Sequence, residues 1–476
     1  MAEVSDFKDE SFRDSVSHID SKGKRVFFHP KKPVGKLYEY RKLLSYSFLI
    51  LFFTLPFIKV NGDPFLLFNV VERKFILFGV RFWPQDFFLL VIGMLIFIVF
   101  IALFTVVYGR VFCGWICPQT IFMEMLFRRI EYAIEGDAAH QRALKKAPWN
   151  REKIFKRTLK IAIFFLVSVI VANTFLSYII GIDELKKIVT EPLSEHIGGF
   201  IAMIVFSGVF FFVYYWFREQ VCLVVCPYGR MQGVLLDKHS IVVAYDYKRG
   251  EPRAKFSKKP TKPVGDCIDC NECVRVCPTG IDIRNGTQLE CVNCTACIDA
   301  CNGIMEKVDR PKGLIRYASE YSIQTGQRLK WTPRIIAYTA VLFLLIGVEA
   351  FFLATRTDVD ITINRARGQI FTRQTDGKVN NLYMMKITNK TKDDLHLDMQ
   401  TDLEGTELLI IGENQVVKAD TMIEGQFFIM MPESLITKRK YDLQVMVYSN
   451  GKLVTQKPVY FIGPANAGHS EAEAEE

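Results

Sequence analysis

Apolar residues in this chain gather into five long blocks, at roughly 43–60, 87–108, 159–180, 197–217 and 335–353. Each approaches the ~20 residues that an α-helix needs to cross a bilayer. The first is the shortest, and Pro56 leaves its boundaries open. A polar stretch precedes it, so it reads as a retained anchor and not as a cleaved signal peptide. Near residue 356 the pattern changes. Val359, Ile361 and Ile363 alternate with polar neighbours, as do Leu395, Leu397 and Met399. Further apolar runs fall at Leu382 to Ile387, Phe427 to Met430, Tyr441 to Val447 and Val454 to Phe461. Asp376-Gly377 and Asn450-Gly451 supply turn signals between runs, which is the pattern of short antiparallel strands.

These periodicities predict a multidomain membrane protein. An α-helical transmembrane bundle of about five spans precedes an all-β sandwich of immunoglobulin-like type over 356–464. The acidic tail, 465–476, lacks the apolar residues to fold. The 50% hydrophobic content and 39 Phe of the 476 residues follow from the spans.

Charge orients the bundle. Lys22, Lys24, Arg25, Lys31, Lys32, Lys36, Arg41 and Lys42 precede the first block. Arg110, Arg128, Arg129, Arg142, Lys145, Lys146, Arg151, Lys153, Lys156 and Arg157 lie between the second and third. The other short loops hold only Arg73, Lys74 and Arg81, then Lys186 and Lys187. Short loops rich in Lys and Arg stay cytoplasmic. The N-terminus and the region after the fourth block are therefore expected inside, and the sandwich outside. This rule accounts for the net charge of +9, so no nucleic-acid partner is needed to explain it.

All 12 cysteines fall in or beside the segments expected inside, and the sandwich has none. That suits thiolate chemistry in a reducing compartment and avoids stray disulfides in an exported domain. Eight of them form two copies of one phrase, Cys267-x2-Cys270-x2-Cys273-x3-Cys277 and Cys291-x2-Cys294-x2-Cys297-x3-Cys301. The spacing resembles that of bacterial-type ferredoxins, in which each phrase gives three thiolates to one [4Fe–4S] cluster and its last to the other. Carried onto this chain, one cluster takes Cys267, Cys270, Cys273 and Cys301, and the other takes Cys291, Cys294, Cys297 and Cys277. A zinc ribbon needs only paired Cys-x2-Cys knuckles, so the longer phrases favour iron–sulfur. Cys277 precedes Pro278 as in the usual phrase, whereas Cys301 precedes Asn302.

The other four cysteines mark a weak internal repeat. Cys113-Gly-Trp-Ile-Cys117-Pro118 follows the second block and Cys222-Leu-Val-Val-Cys226-Pro227 follows the fourth, each after a basic residue, Arg110 or Arg218. Cysteines at i and i+4 share a helix face. The prolines disfavour helix at Cys117 and Cys226, so each helix is expected to end or kink there. Packing alone is one reading of such thiols. The others are one joint site for a soft metal (Cu(I), zinc or an iron–sulfur centre) or a redox-active dithiol. Facing histidines for an intramembrane haem are absent from the blocks. His18, His29, His140 and His239 read as ordinary surface residues, while His196 sits near the outer start of the fourth block. Asn173 is a polar residue within a block, and Glu349 lies where its carboxylate can reach the interface.

The expected order is thus a cytoplasmic leader (1–42), a four-span domain with both Cys-x3-Cys-Pro phrases (43–230), a linker (231–263), a two-cluster ferredoxin-like α+β module (264–305), a second linker (306–334), a fifth span (335–353), the sandwich and the tail. Over residues 35–465 this combination resembles the FixG/CcoG/RdxA family of cytochrome oxidase accessory proteins. The resemblance implies a multi-pass protein of the bacterial inner membrane that assists assembly of cbb3-type cytochrome c oxidase. It also implies reduction of Cu(II) to Cu(I), with Cys113, Cys117, Cys222 and Cys226 as the catalytic copper site, that is, a cupric reductase. The partners it implies are the oxidase assembly machinery or a copper chaperone, a cytoplasmic electron donor and the bilayer, with a homo-oligomer also compatible. Two rivals stay open: a quinol-oxidising subunit of a respiratory chain, against which the exported sandwich argues, and a non-redox assembly scaffold.

Overall fold

The computed structural model describes residues 27–464 apart from 61, 71–73, 84–85, 193, 257–262, 328–331, 357–358, 367, 369, 392, 413–415, 420 and 450–451. The acidic tail, His18, Lys22, Lys24, Arg25, Arg73, the Asn450-Gly451 turn and residues 257–262 of the first linker lie outside the described residues. The chain forms two compact units, Met1–Glu349 and Ala350–Glu476.

Among the described residues, four helices are long and apolar enough to cross a bilayer: α2 (Phe87–Tyr108), α7 (Arg151–Ile180), α9 (Ile197–Phe212) with its π-helical extension to Phe217, and α15 (Pro333–Ala354). The first expected span departs from this set. Its helix, α1 (Lys36–Thr54), starts earlier, and a 3-10 turn at Leu55–Phe57 carrying Pro56 ends it. Four charges, Lys36, Glu39, Arg41 and Lys42, occupy its first half. One face of that half packs on protein: buried Arg41 donates from Nε to the Gly114 carbonyl at 2.6 Å. Between α1 and α2 the chain folds as two small antiparallel sheets, β1 (Lys59–Val60) with β2 (Asp63–Pro64), and β3 (Leu66–Asn69), β4 (Lys74–Leu77) and β5 (Val80–Phe82).

Short helices fill the region between α2 and α7: α3 (Val111–Trp115), α4 (Pro118–Ile121), a π-helical turn at Phe122–Phe127, α5 (Arg128–Glu135) and α6 (Ala138–Lys146). Asn150 caps α7 by accepting the Lys153 N–H at 2.8 Å. From Ile161 to Ile180 that helix has no charged residue. At its far end α8 (Ile182–Thr190) leads to α9. Asn173 donates to the Val169 carbonyl at 2.8 Å and reaches Ser207 of α9 at 3.5 Å, so it ties two spans together. Aromatic packing completes the bundle core, with Phe127 stacked on Tyr214 at 4.4 Å.

After α10 (Pro227–Leu235) comes the cysteine module. Its sheet pairs β6 (Val242–Tyr245) antiparallel with β7 (Ile315–Ala318), Val242 opposite Ala318 and Tyr245 opposite Ile315. Around it lie α11 (Tyr247–Gly250), α12 (Glu272–Arg275), α13 (Ala296–Lys307) and α14 (Glu320–Thr325). Both strands come from segments expected as linkers, 231–263 and 306–334, so the module is larger than 264–305. The physical reason is core supply: Val243, Tyr245, Leu314 and Ile315 are the apolar residues that pack on the cysteine loops. The leader is also corrected over its described part. Lys31 donates its N–H to the Arg275 carbonyl at 2.8 Å, and the amides of Leu37 and Tyr38 donate to the Asp299 carboxylate at 3.3 and 2.8 Å.

The second unit is an antiparallel two-sheet sandwich. One sheet runs β12 (Glu407–Ile411), β14 (Met422–Pro432), β10 (Lys378–Asn389), β8 (Val359–Arg365), with β9 (Thr372–Arg373) also on β10. The other runs β13 (Val416–Val417), β11 (Leu395–Thr401), β15 (Lys440–Ser449), β16 (Lys452–Ile462). Inward positions such as Ile361, Val379, Ile387, Phe427 and Val445 form its core. Near the start of β15, the Tyr441 hydroxyl bonds back to the Leu435 carbonyl at 3.2 Å and the Lys438 amide at 2.8 Å, as in the tyrosine corner of immunoglobulin-like domains.

Candidate metal centre

The twelve cysteines are all free and line three adjoining cavities. Cys267, Cys270, Cys273 and Cys301 border the first, of about 340 Å³. Cys277, Cys291, Cys294 and Cys297 border the second, of about 350 Å³, with Cys273 in the wall it shares with the first. Cys113, Cys117, Cys222 and Cys226 border the third, of about 710 Å³. Pro278, Thr279 and Val292 separate the second from the third. Cys270 is exposed to solvent, whereas Cys267, Cys273 and Cys301 are buried.

Local backbone explains the convergence of sulfurs. In both ferredoxin-like phrases the residues flanking the second cysteine have positive φ: Asp269 and Asn271 at 52° and 57°, Asn293 and Thr295 at 53° and 65°. Asp and Asn tolerate that conformation, but Thr is β-branched and strained in it. The two left-handed turns curl each loop around its cavity, and α12 or α13 starts directly afterwards. Pro278 follows Cys277 after α12 has ended at Arg275. Asn302 lets α13 run on to Lys307, and its Oδ1 accepts the Gly313 N–H at 2.9 Å.

Four sulfurs around an enclosed space, none joined as a disulfide, fit a soft metal or an iron–sulfur cube. Burial pushes the Cys273, Cys291 and Cys301 thiols up to about 12 and Cys294 to about 11. Thiolates in such surroundings need the positive charge of a bound metal beside them.

Two matching turns build the third cavity. Cys117 and Cys226 are extended, and each precedes a proline that opens α4 or α10. Their amides make matching i to i−5 bonds, Cys117 to the Phe112 carbonyl at 2.9 Å and Cys226 to Val221 at 2.8 Å. Buried Gln232 donates from Nε2 to the Cys113 sulfur at 3.3 Å. Buried Arg110 holds Gln232, donates to the Gly229 carbonyl at 2.5 Å and reaches the Cys291 carbonyl at 3.4 Å. One side chain thus links the third cavity to the loop of the second. The backbone does so too, because Gly114 lies too close to the Val292 carbonyl to admit a Cβ.

Beside the cysteines stands a buried ion network. Arg128 pairs with Glu124 at 2.8 Å and with Glu219. Glu131 pairs with Arg218 and, at 3.4 Å, with Lys160, which also meets Glu135 at 2.9 Å. Burial alone would raise the Glu131 carboxyl, but Arg218, Lys160 and Arg128 outweigh it and hold it at about 2. Sequence reasoning assigns Arg128 a role in topology only, and Gln232 and Glu131 none. The spacing Glu124, Arg128, Glu131, Glu135 on one helical face was the available signal. His29, expected at the surface, is half-buried and bonds Gln141 at 3.0 Å. His196 pairs with Glu191.

Known proteins resemble this chain in sequence. Residues 217–320 match a family described as a 4Fe-4S dicluster domain, residues 90–144 a 4Fe-4S binding domain, and residues 350–464 the IG-like fold at the C-terminus of FixG. Nitrogen fixation protein FixG of Rhizobium meliloti is 34% identical over 414 residues, covering 77% of each chain. The chain belongs to the FixG/RdxA family. Protein RdxA of Cereibacter sphaeroides is 36% identical, covering 71% of this chain and 73% of its own. Protein RdxB of the same organism is 33% identical, covering 79% and 81%. Membership of the FixG/RdxA family, the 4Fe-4S matches and four apolar helices make this a membrane iron–sulfur electron-transfer protein.

Proposed function

We propose that the chain reduces Cu(II) to Cu(I) at Cys113, Cys117, Cys222 and Cys226, and so assists assembly of a cbb3-type cytochrome oxidase. One observation carries the reading: three thiol-lined cavities in a row, each sharing a wall with the next. Two [4Fe–4S] clusters, one on Cys267, Cys270, Cys273 and Cys301 and one on Cys277, Cys291, Cys294 and Cys297, would supply single electrons at low potential when bound. Exposed Cys270 is the point of approach for a cytoplasmic donor. At the other end, four soft sulfurs favour Cu(I) over Cu(II) and so make acceptance of one electron by the ion favourable. Arg110 and Gln232 hold Cys113 towards that ion. In this reading the N-terminus and thiols face the cytoplasm of a bacterial inner membrane, and the sandwich faces the periplasm to meet the oxidase assembly machinery or a copper chaperone.

The 4Fe-4S match over residues 90–144, which contains Cys113 and Cys117, favours a second reading in which the third cavity holds a further cluster. Iron and sulfide analysis of anaerobically purified protein separates the two. About eight irons per chain supports the copper site, and about twelve replaces it. Cys117→Ser with Cys226→Ser is expected to abolish cupric reduction while the clusters' absorbance persists. Unchanged activity would remove those thiols from the reaction.

A further inference from the structure

A fourth cavity, of about 700 Å³, opens between α5, α7 and the end of the α9 span, and no cysteine lines it. Lys145, Arg157, Lys160, Arg218, His29 and Glu131 supply its charged and titratable groups. The carboxylates nearby do not balance the cations. Glu131 is shared by Arg218 and Lys160, and Glu135 by Lys160 and Arg157, while no described carboxylate pairs with Lys145. One buried donor atom is also unspent: Arg218 Nε has no hydrogen-bond partner, and Arg218 is 4% exposed. A buried guanidinium nitrogen without an acceptor points to an anion from outside the chain.

Depth along the helices identifies the source. Lys160 is the last charged residue of α7 before twenty uncharged ones, and Arg218 directly follows the apolar span that ends at Phe217. Both therefore stand at the edge of the hydrocarbon, the level of lipid headgroups. The indole of Trp216 lines the cavity and stacks on Phe212 at 5.1 Å, and Phe165 of α7 lies against Phe211 at 5.7 Å. Phe165, Phe212 and Trp216 are all about half exposed, an apolar surface on which an acyl chain can lie.

We propose that this cavity binds the phosphate of an anionic phospholipid. The cations and the unspent Arg218 donor hold the headgroup, and the α7–α9 surface holds the acyl chains. A free phosphate shares the headgroup chemistry but not the second contact.

Trp216 serves as the reporter. Full-length protein in non-ionic detergent would be titrated with phosphatidylglycerol, phosphatidylcholine or inorganic phosphate, following tryptophan emission against a Trp216→Phe control. Phosphatidylglycerol is expected to give a saturable change that the control lacks, with phosphatidylcholine at least tenfold weaker. Lys145→Ala with Arg157→Ala is expected to raise the midpoint tenfold or more, since each basic residue at a headgroup contributes substantially to anionic-lipid affinity. Arg157→Lys, which keeps the charge, is expected to bind within about threefold of the parent and so separates lost charge from lost folding. Equal binding of the two lipids, or an unchanged midpoint in the double variant, would overturn the proposal. Inorganic phosphate with the midpoint of phosphatidylglycerol would overturn the lipid as the source.

Discussion

Gly109 ends α2 with φ 58° and ψ −134°, a region that residues with a Cβ rarely enter. An added Cβ would lie 2.8 Å from the Ile241 carbonyl oxygen and the Val242 side chain, and 3.2 Å from Asn293 Nδ2. Ordinary contact begins near 3.4 Å, so the end of α2 must part from Ile241 by roughly 0.6 Å. Backbone lies on one side of that contact and cannot swing away. Overpacking costs about 1–3 kcal/mol and the unfavourable conformation about 1–2 more. Gly109→Ala is therefore expected to cost about 2–5 kcal/mol, which lowers the unfolding midpoint by roughly 3–7 °C for a unit of this size. The displacement also separates Cys113, four residues on, from Asn293 in the loop of the second cavity. Cupric reduction should then slow by about tenfold or more, since misplacement approaching 1 Å can cost up to about 10²-fold. The assay is thermal unfolding of detergent-solubilised protein beside anaerobic Cu(I) formation, read with a Cu(I)-specific chelator. A variant that melts within about 1 °C of the parent and reduces copper at the parent rate would refute the reasoning.

Gly303 is the contrasting position, helical within α13 with no atom within 4 Å of an added Cβ. Gly303→Ala should stabilise by about 0.5–1 kcal/mol, and a lower melting midpoint would contradict that. Glu131 has its folded value depressed from 4.5 to about 2, so the stability it adds is present above pH 4.5 and is lost as pH falls towards 2. That depression corresponds to about 3 kcal/mol. Unfolding measured down a pH series should show the loss, and Glu131→Gln should remove this part of it. At neutral pH the same substitution should cost about 3–5 kcal/mol, because Arg218 and Lys160 keep their buried charges without this partner, and a loss under about 1 kcal/mol would contradict that.

Cysteine spacing and apolar periodicity made much legible in advance. Ligand spacing is set by short loops, and a span or strand repeats its pattern over many residues. What escaped was held by single long-range contacts. Strands β6 and β7 are four residues each and pair across about seventy residues of chain, too short to show alternation. Residues 27–42 look like a polar leader because their packing is made by backbone amides and carbonyls, such as Lys31 with Arg275, which leave no trace in side-chain pattern. Charges such as Arg128 and Glu131 were read through topology, where a count suffices, whereas their burial depends on partners far away in sequence. The third cavity was half legible: the repeat paired the phrases, but only the fold brought Gln232 and Arg110 to them.

Asp299 stands between Cys297 and Cys301, and its carboxylate receives the first free amides of α1. A turn that holds sulfurs therefore also fastens the start of a helix more than two hundred residues earlier. Capping of this kind is worth about 1 kcal/mol, and loops of this type gain their order with their metal. Iron loading and the seating of the N-terminal helix are consequently one linked equilibrium. A chain made under iron starvation should betray itself by earlier proteolytic clipping ahead of Lys36.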